Sequence, residues 1–374
     1  MNTHANRETL MALVNGYTIR GQTDKSFDCP QAMMLARAFG DFLAPGDGTL
    51  AIGHDMRASS APLAEAVSLG LRSGGHHVTH IGSCTTPALE WYIDEEELDG
   101  GIMITAGCLA AEYNGLRFYG PRADPVRPEQ VVEVGWIQKL DALFQAPCNS
   151  TLRYDRPLPH YAAWLRQPLR EVNGQVKLAI DAANGGVAVE LEEVLAHFPN
   201  MLVERIGFSP DPSLSRRPLD PLSPQAQTET SQRVKARGCA LGAVLDVDGD
   251  RLAVIDERGQ PADPYAIGIL LAEERAKSRT KLQVLHAESA PAFVDAALHR
   301  LGVKAEKAPG TALSLWHRIH DVGAVLYFDD RGHYSYSDFP GSANALLALF
   351  RLIKSLSKVG QPLSERVAAV QQAD

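Results

Sequence analysis

Strand-like apolar runs at Leu50–Gly53, His77–Ile81 and Gly101–Ile104 alternate with helical patterns at Pro30–Leu43 and Pro62–Ser73. This alternation constrains the fold more than any other feature. Strands separated by helices of that length pack as a sheet with helices on both faces, which predicts an α/β protein. The rhythm recurs. A second unit opens near Pro159 with a helix, followed by a strand at Val176–Ile180 that enters the Asn184-Gly185-Gly186 turn. A third begins after Asp256, with helices at Pro264–Arg279 and Ala290–Leu301. Between them, the polar stretch Cys148–Pro159 reads as a linker, and Ser209–Pro224, with five prolines, reads as a long surface loop. The repeat is structural, not a short sequence period. The expected domains are 1–152, 153–256 and 257–374.

Residues 243–256 read Ala-Val-Leu-Asp-Val-Asp-Gly-Asp-Arg-Leu-Ala-Val-Ile-Asp. Apolar runs flank the triplet Asp246, Asp248 and Asp250, so it falls in a loop between two buried strands. Three alternating carboxylates can converge on one point, and three hard oxygen ligands suit Mg²⁺. Arg251 offsets only one of the three charges. An EF-hand loop counted from Asp246 would place Glu257 correctly at its twelfth position. Its sixth position needs glycine, however, and holds Arg251. A haloacid-dehalogenase type D-x-D phosphatase, with Asp246 as nucleophile, fits as far as Asp248 and meets Asp250 where such enzymes carry Thr or Val.

Composition bounds the partners. A net charge of −9 with no Lys/Arg-rich run argues against nucleic acid. The longest apolar stretch, Ala345–Phe350, is too short to cross a bilayer, and the polar N-terminus has no signal core, so the expectation is a cytoplasmic chain. Cys29, Cys84, Cys108, Cys148 and Cys239 are scattered, which reads as reduced thiols. His76, His77 and His80 cluster but lack a second ligand pair. Glu95-Glu96-Glu97 reads as a solvated helix face.

The aspartate triplet with Arg251 also resembles the metal loop of the α-D-phosphohexomutases, the phosphomannomutase/phosphoglucomutase family. Further matches follow in the family's order. Tyr17-Thr18-Ile19-Arg20-Gly21 is similar to its Y-D-I-R-G element, and Gly53-His54-Asp55-Met56-Arg57-Ala58-Ser59-Ser60 to its G-R-D-x-R-x-S-S turn. Thr85-Thr86-Pro87 matches its T-P loop. Gly100–Ala106 and Glu112–Gly115 frame its catalytic loop, and Asp181–Gly186 resembles the turn opening its second domain. The resemblance spans essentially the whole chain. It implies three consecutive α/β domains, with mixed sheets between helices, around a cleft. It assigns Arg20 and Arg251 to the catalytic centre, Mg²⁺ to the three aspartates, and substrate contacts to Tyr17, Asp329, Gly332 and His333.

The departures are as informative. The family's T-A-S-H-N-P loop aligns with Thr105-Ala106-Gly107-Cys108-Leu109-Ala110, so Gly107 stands where the phosphoserine belongs. The G-E-x-S-G-H sugar loop aligns with Phe328–His333, where Asp329 shortens the acid and Arg331 replaces the serine. Near Lys307–Thr311 the family's T-G-H turn keeps only its glycine, and no lysine stands in the element near His286–Ser289. With one anionic ligand missing, Mg²⁺ is expected to bind weakly. No R-x-S-x-T-x-P phosphate clamp occurs before Asp374, so a fourth domain is not expected. A following helix N-terminus would lower the pKa of Cys108, but no His or Lys nearby in sequence activates it. The resulting expectation is a catalytically silent homologue that binds a phosphosugar or a protein partner and regulates or scaffolds carbohydrate metabolism. The alternative is an active Mg-dependent mutase, or a sugar-phosphate phosphatase, working through non-standard groups.

Overall fold

In a computed structural model, residues 7–137, 149–277, 282–309 and 312–372 are described. Their helices begin where the sequence carries caps. Asp28 and Gln31 form a capping box ahead of the helix Cys29–Leu43, and Thr85, Ser223, Asp263 and Asn344 cap later helices. Each such cap satisfies an otherwise orphaned amide and contributes about 1 kcal/mol. The helix Pro224–Arg237 ends on Gly238 and the helix Ala345–Val359 on Gly360, both left-handed.

Contacts gather the chain into two compact units. One is formed by the chain up to Pro157 together with Asp211–Leu214. The other contains Leu158–Pro210, Ser215–Gly310 and Ser314 onward.

The first unit holds a mixed sheet of β1 (Val14–Asn15), β2 (Thr18–Gln22), β3 (Thr49–His54), β4 (His77–Ser83), β5 (Gly100–Ile104), β6 (Tyr113–Tyr119) and β7 (Leu152–Tyr154), in the order β1-β2-β6-β5-β3-β4-β7. β3, β4, β5 and β7 run parallel, while β6 is antiparallel to both β2 and β5. One face packs Ile52, Ile102, Ile104, Leu116 and Phe118 against Leu35, Phe39, Leu63, Val67 and Val131, all buried. The helix Thr86–Glu95 covers the other face, where Ile93 crowds Gly101. Helices on both faces follow from strands that are apolar on both sides.

The boundary between the two units, Pro157 to Leu158, falls inside the stretch read as a linker, but that stretch is not unstructured. The stretch read as a linker contributes β7, which pairs in parallel with β4 through Val78–Leu152, Thr79–Arg153 and His80–Tyr154. Its polarity is that of an edge strand with Tyr154 exposed, not that of an unattached connection. Cys148 lies outside the described residues.

The second unit holds two separate sheets. β8 (Val176–Asp181), β9 (Met201–Ile206), β10 (Leu241–Leu245) and β11 (Leu252–Ile255) form one, in the order β11-β10-β8-β9. It is covered by the helix Pro224–Arg237 through Ala226 and Val234. β12 (Gln283–Ala287), β13 (Lys304–Ala308), β14 (Leu326–Phe328) and β15 (Tyr334–Tyr336) form the other, in the order β13-β12-β14-β15. Here Leu315 and Ile319 pack on Leu285 and Tyr327, and Gly268 admits the Phe328 ring on the opposite face. The segment from Ser209 to Ser223 contains no helix or strand, as its prolines require, and Pro224 opens the next helix. No described helix is long and apolar enough to cross a membrane.

Candidate active site

The loop after β5 joins two strands, β5 and β6, and no helix N-terminus follows Cys108. The expected thiol activation from that source is therefore absent. Gly107 sits at φ +63°, in the left-handed region. The loop's shape is imposed from outside. Arg57, with its side chain fully buried, donates to the carbonyls of Gly107 (2.7 Å), Leu109 (2.8 Å), Ala110 (2.6 Å) and Tyr113 (3.1 Å), and through Nε to Asp55 (2.9 Å). All five guanidinium donors are thus used. Asp55 also accepts from the hydroxyls of Ser60 and Thr105. Thr105 in turn accepts the Gly107 amide at 3.0 Å and is buried, which commits its hydroxyl in both directions.

Arg20 lies on β2 opposite Gly115 of β6. Tyr17 stands just before that strand, with the Arg117 guanidinium carbon 5.4 Å from its ring centre. Thr18, where the family has an acid, is buried and donates its hydroxyl to the Asn15 carbonyl. The T-P element is a helix start, Thr85 Oγ1 accepting from the Ala88 amide.

In the second unit, the loop between β10 and β11 carries the aspartates, as the flanking apolar runs predict. They are almost fully enclosed, with exposures of 1% for Asp246, 1% for Asp248 and 6% for Asp250. Asp246 Oδ1 accepts the amides of Gly249 (2.9 Å), Asp250 (3.1 Å) and Arg251 (3.2 Å), which curls the loop around it. Burial pushes the Asp246 carboxyl well above the ordinary carboxylate range. The charge and side-chain hydrogen bond of Asp250 and the charge of Asp248 add to the rise, and Arg251 opposes it.

This is the signature of carboxylates crowded beyond what one arginine neutralises. An all-oxygen donor set of this charge fits a hard divalent cation, which would relieve that crowding. Among the described residues, no group of three or more His, Cys, Asp or Glu already stands arranged as a metal cage. Instead, Asp246 spends an oxygen on backbone amides and stands against the Asp250 carboxylate.

The loop between β14 and β15 meets the aspartate loop directly. Asp329, buried, accepts the amides of Arg331 and His333 at 3.0 Å each, and His333 Nδ1 donates to its other oxygen at 2.9 Å. Burial alone would raise the Asp329 pKa. The His333 hydrogen bond, that ring's charge when protonated, and the two amides outweigh it and hold the carboxyl below its usual range. Arg251 Nε donates to His333 Nε2 at 3.3 Å, so an Asp329–His333–Arg251 chain links the two loops. Gly332 makes the approach possible, since a Cβ there would lie 2.5 Å from the Leu252 carbonyl. Among the sequence candidates, the structure therefore joins Arg251, Asp329, Gly332 and His333 with the aspartate triplet. Arg20, Tyr17 and Gly107 belong to the first unit.

Sequence reasoning attached no role to Arg57, Asp55, Arg216 or Arg217, although the first two lie in a quoted motif. Of the clustered histidines, His76 Nε2 meets Asp41, His77 meets Thr151, and His80 Nδ1 accepts the Gly82 amide. Cys29, Cys84, Cys108 and Cys239 form no disulfide among the described residues.

Comparison with known proteins gives one family. Its profile for phosphoglucomutase/phosphomannomutase α/β/α domain I matches residues 11–137, and that for domain II matches residues 161–259. The phosphohexose mutases of Xanthomonas campestris pv. campestris are 26% identical over 363 residues, covering 95% of this chain and 79% of theirs. A phosphoglucosamine mutase of Streptococcus pneumoniae is 28% identical over 372 residues, covering 94% and 79%. A phosphoglucomutase/phosphomannomutase family protein from Burkholderia thailandensis shares the fold with a TM-score of 0.87 at 21% identity, over 99% of this chain and 80% of that one. Aspergillus fumigatus N-acetylphosphoglucosamine mutase, solved with GlcNAc-6P and magnesium, superposes with a TM-score of 0.59 at 13% identity, over 91% of this chain and 79% of that one.

Proposed function

This chain belongs to the phosphoglucomutase/phosphomannomutase family, and on that premise we propose that it binds a phosphorylated hexose at the family's site without exchanging the phosphoryl group. The observation that carries this reading is position 107. Glycine offers no oxygen to phosphorylate, and the neighbouring Thr105 hydroxyl is buried between Asp55 and the Gly107 amide. Positioning and charge neutralisation dominate phosphoryl transfer, but they do not replace the atom that carries the group.

The remaining residues suit recognition. Asp246, Asp248 and Asp250 are the proposed ligands of Mg²⁺, which when bound would neutralise charge on a phosphate oxygen. Arg20 and Arg251 supply cations for phosphate. Asp329, Gly332 and His333 build the loop proposed to meet the sugar, where a hydroxyl would replace the Arg251 Nε–His333 Nε2 contact, and Tyr17 offers a ring face. The GlcNAc-6P and magnesium in the Aspergillus relative support this ligand class. Such a protein would act by binding, as a regulator or scaffold in carbohydrate metabolism, alone or with a protein partner.

The second reading, an active Mg-dependent mutase or phosphatase, draws on the intact aspartate loop and its link to His333. One experiment separates the two. The protein is incubated with glucose 1,6-bisphosphate and Mg²⁺, its intact mass is measured, and glucose 6-phosphate binding is followed by calorimetry. Binding heat with no phosphoryl adduct and no mutase turnover supports the proposal. An adduct with turnover establishes the enzyme reading, and absence of binding removes the phosphosugar.

A further inference from the structure

The proline-rich segment around residue 217 carries two adjacent arginines, Arg216 and Arg217, both bonded to Asp181. Arg217, its side chain 6% exposed, donates through Nε to Asp181 Oδ2 at 2.9 Å, through Nη1 to the Pro218 carbonyl at 2.8 Å, and through Nη2 to the Leu245 carbonyl at 2.6 Å. Leu245 is the last residue of β10, and its carbonyl shares a peptide plane with the Asp246 amide. Fixing that carbonyl fixes the direction in which the loop leaves the strand.

Asp181 is completely buried at the end of the neighbouring strand β8, where it also accepts the Ala183 amide at 2.9 Å. The turn that follows, with Ala183 and Asn184 both at φ +56°, is braced by Arg216 through Asp181 and Asn184. It forms a shelf beneath the loop, since a Cβ on Gly185 would lie 3.0 Å from the Val247 Cα. The loop is therefore supported at residue 245 by a guanidinium and at residue 247 by the shelf that this guanidinium anchors.

We propose that Arg217 is a positioning residue for the Asp246–Arg251 loop, holding its three carboxylates in the arrangement that receives a divalent cation. The cation part rests on the function proposed above; the loop part does not. The guanidinium acts through two acceptors of fixed geometry, a carboxylate and a peptide carbonyl 64 residues of chain apart (245 − 181). Lysine has three donors on one compact nitrogen and lacks the planar fork that spans both acceptors.

The test compares Arg217→Met and Arg217→Lys with Arg366→Met in the same unit. Arg366 is an equally buried arginine, paired with Glu273 and Ser355 and remote from the loop in sequence. Amide hydrogen exchange is read at Gly249, Asp250 and Arg251, the donors to Asp246, and Mn²⁺ affinity is read by electron paramagnetic resonance. Arg217→Met is expected to speed exchange at those amides about tenfold or more and to weaken Mn²⁺ about tenfold, roughly the loss of one charged hydrogen bond. Arg217→Lys falls between, and Arg366→Met lowers the melting temperature with loop exchange unchanged. The proposal is overturned if Arg217→Lys and Arg217→Met exchange at these amides like the unmodified protein, or like Arg366→Met at a matched melting temperature. If the unmodified protein binds no Mn²⁺, the metal reading fails while the exchange comparison still decides the role of Arg217.

Discussion

The Arg57 guanidinium donates to the Gly107 carbonyl across 2.7 Å, joining residues 50 positions apart in the chain. The same side chain takes the carbonyls of Leu109, Ala110 and Tyr113, so one buried guanidinium holds the loop's course. Replacing Arg57 by Met leaves Asp55 buried without its ion pair and frees four carbonyls. The expected loss is about 3–5 kcal/mol of unfolding free energy, read from urea denaturation, with faster amide exchange across residues 107–113. Arg57→Lys should recover less than half of it, since three donors cannot do the work of five.

Gly107→Ser should neither restore mutase turnover nor improve stability. At φ +63° a side chain brings Cβ against the backbone, which costs about 1–2 kcal/mol. A lowered urea midpoint with no phosphoryl adduct after incubation with glucose 1,6-bisphosphate is the expected result. Robust turnover in this variant would show that the serine alone was missing.

The aspartate loop predicts opposite effects with and without metal. In chelator, Asp248→Asn should raise the melting temperature, because one of three crowded carboxylates is removed. With Mg²⁺ at tens of millimolar, the unmodified protein should gain stability as RT ln(1 + [Mg²⁺]/Kd) while the variant gains little. Calorimetric heat that persists unchanged in Asp248→Ala would place the cation elsewhere.

Acid should erase the contribution of Asp329. Its folded pKa lies below the unfolded value of about 3.9, so its stabilisation is present above that pH and is lost as pH falls through the folded value. The stability difference between the unmodified protein and Asp329→Asn should be constant from about pH 7 to pH 5 and shrink below about pH 4. A difference that grows on acidification would reverse the assigned direction.

What could be read along the chain is what depends on near neighbours. Cap residues, the strand positions and the loop carrying Asp246, Asp248 and Asp250 are set by contacts within a few residues, and their residue types declare them. The family motifs likewise marked Asp329, Gly332 and His333 for the site. That position 107 offers no side-chain oxygen is likewise plain from the residue type, since no fold gives glycine a hydroxyl. Only the tertiary structure decided that Arg57 and Arg217 matter and which partner Arg251 meets. Arg57 reaches 50 to 56 residues ahead, Arg217 reaches 28 residues to Leu245, and Arg251 reaches 82 residues to His333. A long flexible cation on the chain reads the same whether it is solvated or buried, because its partners are chosen by the packing of distant strands. β7 stayed hidden for the same reason. A short polar edge strand has no hydrophobic period of its own, and β4 alone, by offering its unpaired amides and carbonyls, makes it a strand.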